Sequence, residues 1–402
     1  MLELNSGLEF TPDRDAEFFS QLPAKPAVCL VVSREELAEP YLIRTADLRR
    51  RLQRLLGPPD PASKRLNLRE FAQLVRYRET GSAFEQALTY YQNAKQIFPK
   101  RYRDLMRLRP APVLKINLSN AYPRCFVTRH IVVNEQGEPI SGAYYGPFAS
   151  RRSAEAFAEK MLDFFKVRRC QIKIRRDPAF PGCIYSEMKM CLAPCFAGCS
   201  KEEYDAEVGR LVQFLDTSGG SLHAMFVRDR ESASEQLDFE KAAALHKKLE
   251  KLDDVLRGKP DLARRVQNLD AVILQRTADD QSIAFFAVHG GRLAEPFILR
   301  FGDTGKPTSA EEAVRDYLEG VGNTPPITNA NVRQSATELS EHLALVARWF
   351  FSSPREGEIF FREKDWPYRR ISRACSRLLS PKKEQVNGAG LPEEKTKSEG
   401  TK

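Results

Sequence analysis

No stretch of this 402-residue chain approaches the roughly eighteen consecutive apolar residues that a membrane span requires. The opening residues, Met1-Leu-Glu-Leu-Asn5, lack a basic segment followed by an apolar one, so no secretory signal is expected. No internal repeat is visible, and cysteine is scarce at eight residues. These absences argue against a membrane, secreted or solenoid protein and point to the reducing cytoplasm. There, clustered cysteines read as ligands or catalysts before disulfides. Positive charge is what the chain has in excess, with 63 Lys and Arg against 54 Asp and Glu, a net charge of +9. That balance favours an acidic partner, nucleic acid above all, with a merely basic protein as the plainer alternative.

Half of the scarce cysteines sit together. Cys170, Cys183, Cys191 and Cys195 follow the spacing C-x12-C-x7-C-x3-C, interleaved with Lys173, Arg175, Arg176 and Lys189. Soft thiolates in one loop suit an iron–sulfur centre. Zinc competes, although the tight C-x2-C knuckle of most zinc sites is missing, and an unmetallated loop is the third option. Cys199 could substitute for one ligand. Cys29, Cys125 and Cys375 are scattered and read as small buried hydrophobes.

The length suggests about two to four domains, and the expected fold class is a mixed α/β (α+β) multidomain protein. Residues 20–105 read as a small α/β unit. Val28–Val32 and Tyr41–Ile43 are β-branched or apolar runs that predict strands. Thr45 is the expected cap of a following helix, with Asp47 in its first turn. In that helix Leu48, Leu52 and Leu55 share one face, Arg50 and Arg54 point away, and Arg49 and Arg51 lie on the borders. A second helix is predicted over 82–97, ending before Pro99. Residues 110–200 begin with strands over Val113–Leu118 and Cys125–Val133, continue into a helix near 151–166, and reach the cysteine loop. Residues 201–257 read as helical with a break at Ser218-Gly-Gly-Ser221, and 262–375 as a C-terminal α+β region. Residues 381–402 read as a disordered tail.

Two further patterns carry possible function. Tyr41, Arg44, Arg49, Arg50 and Arg51 place guanidinium groups beside a strand edge, where they can bind phosphates, although solvated helix arginines are commoner. Ala242, Leu245, Leu249, Leu252 and Leu256 recur at three- and four-residue steps. That seam suits a partner helix or, more plainly, the other arm of an intradomain hairpin.

Together, Tyr145-Gly-Pro-Phe148, Arg169-Cys170…Cys183…Cys191-x-Ala-Pro-Cys195 and Gln236-Leu-Asp-Phe-Glu-Lys-Ala-Ala243 resemble the UvrC excinuclease family of bacterial nucleotide excision repair. The resemblance runs from about residue 20 to 375. It implies a DNA-binding protein, an iron–sulfur cluster on Cys170, Cys183, Cys191 and Cys195, and DNA contacts from Arg44, Arg49, Arg50, Lys173, Arg175 and Arg176. The stretch 236–243 resembles the UVR motif that binds the helicase UvrB, which implies partner contacts from Leu237, Phe239, Ala242, Ala243, Leu245 and Leu249.

Residues 20–105 resemble the family's GIY-YIG nuclease domain, with departures. Tyr41 and Arg51 fall on the second catalytic tyrosine and the catalytic arginine. Cys29 stands where the first tyrosine belongs, and Tyr90 where a glutamate should hold Mg²⁺ or Mn²⁺. The chain also stops near where the family's ribonuclease-H-like core would begin. The resemblance therefore implies a UvrC-like protein with weak or no incision. One alternative is an active endonuclease whose Glu85 reaches the metal through a shifted helix register. Another is an iron–sulfur redox sensor that binds DNA.

Overall fold

A computed structural model describes residues 2–60, 62, 64–301, 307–322 and 332–380. The expected tail at 381–402 lies outside the described residues. Among those described, no helix is long and apolar enough to cross a membrane.

The first sheet is antiparallel in the order β1-β4-β2-β3, from β1 (Ser6–Glu9), β2 (Ala27–Ser33), β3 (Tyr41–Thr45) and β4 (Ala72–Glu79). Its edge strand β1 precedes the 20–105 span expected from the sequence. The central strand β2 is apolar along its length because both faces of the sheet are covered there. Helices α1 (Asp15–Gln21) and α2 (Leu48–Leu56) cover one face, where Leu48, Leu52, Leu55 and Leu56 meet Cys29, Val31, Ile43 and Val75. Asp47, not Thr45, caps α2 by accepting the Arg50 N–H at 2.9 Å. Thr45 Oγ1 instead bonds the backbone of Asp47, which turns the chain into the helix.

The other face of this sheet meets α3 (Ala83–Ile97), capped by Ser82. Val28 and Leu42 pack on Phe84 and Leu88, and the short α4 (Tyr102–Met106) follows.

A second sheet, ordered β6-β5-β7-β8, joins β5 (Val113–Ile116), β6 (Cys125–Thr128), β7 (Ala143–Gly146) and β8 (Arg264–Arg265). Here β6 ends at Thr128, five residues short of the expected strand, because the Thr128 hydroxyl takes the His130 N–H at 3.0 Å and bends the chain. Behind the sheet lies α5 (Arg151–Leu162), capped by Ser150 and shorter than predicted. The cysteine loop contains one helical turn, α6 (Ile184–Glu187). Next come α7 (Lys201–Asp216), α8 (Gly220–Glu235) and α9 (Phe239–Arg257), with the break at 217–219 close to the predicted one.

The third sheet comprises β9 (Ala271–Arg276), β10 (Ser282–His289), β11 (Arg292–Leu293), β12 (Phe297–Arg300) and β13 (Glu358–Phe361). One face meets α10 (Pro307–Gly322) and α12 (Tyr368–Leu379). The other meets α11 (Val332–Phe350) and, from the N-terminal unit, α3. Phe84 stacks edge-on against Phe286 at 5.1 Å and tilts against Trp349 at 5.7 Å. The two sheets approach so closely that a Cβ on Gly81 would lie 2.0 Å from the Thr277 carbonyl carbon. Buried Glu341 of α11 completes the joint by accepting from Tyr91 (2.8 Å), Tyr102 (2.6 Å) and Arg103 (2.7 Å).

Candidate nucleic-acid interface and cysteine loop

Tyr41 opens β3 half-buried, and Arg44 of the same strand is exposed. The Arg44 guanidinium lies 5.9 Å from the ring centre of Tyr90, which α3 brings up from the covered face. Burial raises the Tyr90 hydroxyl above its ordinary pKa; Arg44 opposes this and Tyr41 adds to it. Arg44 of β3 and Tyr90 of α3 are thus brought together. Cys29 is fully buried against α2, and its thiol is pushed up to about 12 by desolvation.

The arginines of α2 divide. Arg50 is exposed, and Arg51 is half-buried with an Nε that has no partner. Arg49 is partly engaged: its Nε donates to the Leu22 carbonyl at 2.7 Å and ties α2 to the end of α1. Glu85 does not reach a metal position beside Tyr41. It is 2% exposed, accepts the Gly81 N–H at 2.9 Å and faces Arg78 at 3.6 Å, so its carboxylate is committed to the start of α3. Burial raises its pKa, with Gly81 and Arg78 partly offsetting this.

The cysteine loop is held by a residue that the sequence pattern did not single out. Arg168 is 4% exposed. Its Nε donates to the Tyr122 carbonyl (2.8 Å), and Nη1 to the carbonyls of Cys170 and Ile172 (both 3.1 Å). The adjacent Arg169-Cys170 was the available signal, but the need for one guanidinium to satisfy three carbonyls is tertiary. Lys189, Ala193 and Ala197 take left-handed φ values of 55°, 57° and 61°, folding the loop back on itself. Cys191 lies at its centre: burial pushes the thiol up to about 11, the Ala193 N–H donates to its sulfur at 3.3 Å, and Cys170, Cys195 and Cys183 all raise it further. Cys199 is buried beside Cys195. Among the described residues no group of three or more His, Cys, Asp or Glu is assembled to hold a metal ion. Of the loop cations, Lys173, Arg175 and Arg176 are exposed, and Arg176 also donates to the Cys199 carbonyl at 3.0 Å and so braces the loop.

In the hairpin, Leu237 and Phe239 are exposed by 71% and 66%, Ala243 is exposed and Ala242 is half-buried. Leu245 and Leu249, expected at a partner surface, are buried with Phe226, Leu252 and Val255 against α8 and α5. The heptad-like seam is thus the hairpin's own core, and only its tip is available to another molecule.

Residues 111–214, which span β5 to α7 and the cysteine loop, match the family described as "UvrC/Cho excinuclease, middle domain". The chain is 26% identical over 312 residues to UvrABC system protein C of Dehalococcoides mccartyi, covering 76% of this chain and 50% of that protein. It is 26% identical over 356 residues to the protein of the same name from Carboxydothermus hydrogenoformans, covering 86% and 56%. Against that of Ruminiclostridium cellulolyticum it is 28% identical over 246 residues, covering 59% and 38%. The chain spans about half the length of the curated relatives it matches. No solved structure matches it. By these similarities, with the middle-domain match centred on its second sheet and cysteine loop, the chain is UvrC-like.

Proposed function

We propose that this chain acts in cytoplasmic nucleotide excision repair as a UvrC-like protein that binds DNA and UvrB, with weak or no incision activity. The observation that carries the incision claim is Tyr90, a neutral phenol beside Arg44 where a metal-dependent cut needs a carboxylate. With Glu85 committed to Gly81 and Arg78, the described residues offer no replacement carboxylate at that position. DNA binding is supported by the net charge of +9 and by exposed Arg44, Arg50, Lys173 and Arg175. UvrB binding is supported by the exposed apolar tip, Leu237 and Phe239.

Cys170, Cys183, Cys191 and Cys195 are the residues that would hold an iron–sulfur cluster. Their chemistry fits it: all four are thiols, Cys170, Cys183 and Cys195 each act on the Cys191 thiol, and a backbone N–H is already directed at the Cys191 sulfur. Holding a cluster requires those thiols to draw closer and lose their protons. The cluster would supply a crosslink across the loop, while Arg168 keeps the entering strand in place.

The deciding experiment incubates the purified chain with nicked, bubble and lesion-bearing duplexes in Mg²⁺ or Mn²⁺. No cleavage with retained binding is expected; cleavage that disappears in Arg51→Ala would overturn the inactive assignment. Pull-down with UvrB should weaken in Phe239→Ala, and failure of the wild type to bind would remove UvrB as a partner. Anaerobic purification should yield iron and acid-labile sulfide, and colourless protein with stoichiometric zinc would refute the cluster.

A further inference from the structure

We propose that Lys115, Arg124 and Phe126, on one face of the second sheet, form a stacking platform for single-stranded DNA. This rests on the DNA-binding reading above. It adds a place, on a different sheet from β3, and the strand state of the DNA held there.

The two faces of this sheet differ. Leu114, Ile116, Cys125 and Tyr145 enter the core shared with α5 and α7. On the other face Phe126 lies opposite Lys115, and Lys115 opposite Tyr144, one row across three strands. Cys125 and Val127, the sequence neighbours of Phe126, pack in the α5 and α7 core, whereas half-buried Phe126 joins neither core that flanks the sheet. The Arg124 guanidinium lies 4.3 Å from the centre of the Phe126 ring. Lys115 Nζ lies 4.9 Å from the centre of the Tyr144 ring, which is buried and whose hydroxyl accepts the Val132 N–H at 3.2 Å. Neither cation has a side-chain hydrogen bond or a carboxylate partner among the described residues.

An aromatic ring on a strand ordinarily serves the core; this one lies outside it, between two cations that lack an anion. A phosphate backbone supplies the anion, and an unpaired base supplies a π face to lie on the ring. A duplex would satisfy the cations alone, because its bases are already stacked on one another. The platform therefore separates single strands from duplex. It is also set before a ligand arrives. Asn117 Oδ1 accepts the Arg124 N–H at 2.7 Å, and the Asn117 N–H donates to the Arg124 carbonyl at 3.3 Å, which fixes the end of the hairpin that carries the guanidinium. Beyond β6 the chain leads to exposed Arg129, which lines a cavity of about 280 Å³ with Arg103, so positive charge continues past the ring.

The test measures fluorescence anisotropy of the full chain with a labelled oligothymidine and with a labelled duplex, across a salt series. Phe126→Ala should weaken single-strand binding about tenfold and leave duplex binding unchanged. Phe126→Leu, which keeps the apolar bulk without the π face, should behave the same way, and Phe126→Tyr should retain the affinity. Arg124→Gln should flatten the single-strand slope of log K against log salt by about 0.7. If the wild type binds neither form, the DNA-binding reading itself falls. If it binds the duplex alone, or if Phe126→Ala and Phe126→Leu match it on the single strand, only the platform is overturned. Equal losses on both forms in Phe126→Leu would reduce Phe126 to a support for the cations and overturn the stacking claim. Polyglutamate binding that depends on Phe126, with single-strand affinity indifferent to the same change, would assign the face to an acidic protein partner and overturn the DNA claim.

Discussion

The cysteine loop and the Tyr41 site are built by opposite means. The loop gathers its functional groups from 26 consecutive residues and holds them with one buried arginine and three left-handed turns. The Tyr41 site takes Tyr41 and Arg44 from β3 and Tyr90 from α3, and owes its arrangement to the packing of two sheets around one helix. A local device of this kind survives when its neighbours change. One assembled from distant parts depends on the packing of every element that contributes to it.

The comparison can be broken at either end. The largest effect is expected from Arg168→Ala, which strips three carbonyls of their donor and should cost about 3 kcal/mol or more. Thermal melting would read the loss. Arg168→Lys should recover only part of it, because one ammonium cannot reproduce the planar fork. DNA affinity of the folded fraction should keep its Arg44 dependence, and loss of that dependence would show that the loop and the Tyr41 site are not independent.

Gly81→Ala acts on the other side. The added methyl meets Thr277 backbone and not a yielding side chain, so a destabilisation of about 1–3 kcal/mol is expected. Here the Arg44 dependence of DNA binding should weaken together with stability, because the joint that sets α3 is strained. Chemical denaturation and anisotropy on the same sample would check both.

A smaller, pH-dependent effect is expected at His342, on the α11 face that meets α3. Burial depresses its pKa to about 4, and its Nδ1 accepts the Leu293 N–H at 3.0 Å, which a proton on Nδ1 would forbid. The folded value lies below the unfolded one, so the unfolded chain binds more protons between about pH 6.5 and 4. Stability should therefore fall as pH is lowered through that window, by about 1–3 kcal/mol after allowing for partial exposure. His342→Gln, which keeps an acceptor, should show a shallower fall; an unchanged slope would place the titration elsewhere.

Much of the local structure was legible in the sequence. Leu48, Leu52 and Leu55 announce the buried face of α2, the run 27–33 its strand, and the spacing of 170–195 the cysteine loop, because each signal is contained in a few turns or residues. What could not be read needed a partner distant in sequence. Leu245 and Leu249 show the same period whether they face a neighbouring helix or another protein, and only the packing of α8 and α5 decides. Arg49 has the pattern of a solvent-border cation until the Leu22 carbonyl comes within 2.7 Å. The cap of α2 was misplaced by two residues because Thr45 and Asp47 are both good capping types, and the choice lies in how the chain leaves β3.

Helix α3 has a consequence for modularity. Its Phe84 and Leu88 lie between Val28 and Leu42 on one side and Ile273 and Phe286 on the other. A segment cut at about residue 105 would carry that apolar surface uncovered into water, and would be driven to aggregate or to recruit a substitute sheet. The N-terminal unit thus cannot be exchanged as a cassette. Changes to this unit must therefore come by point substitution within its present packing, because a cut at the expected boundary would divide a shared core.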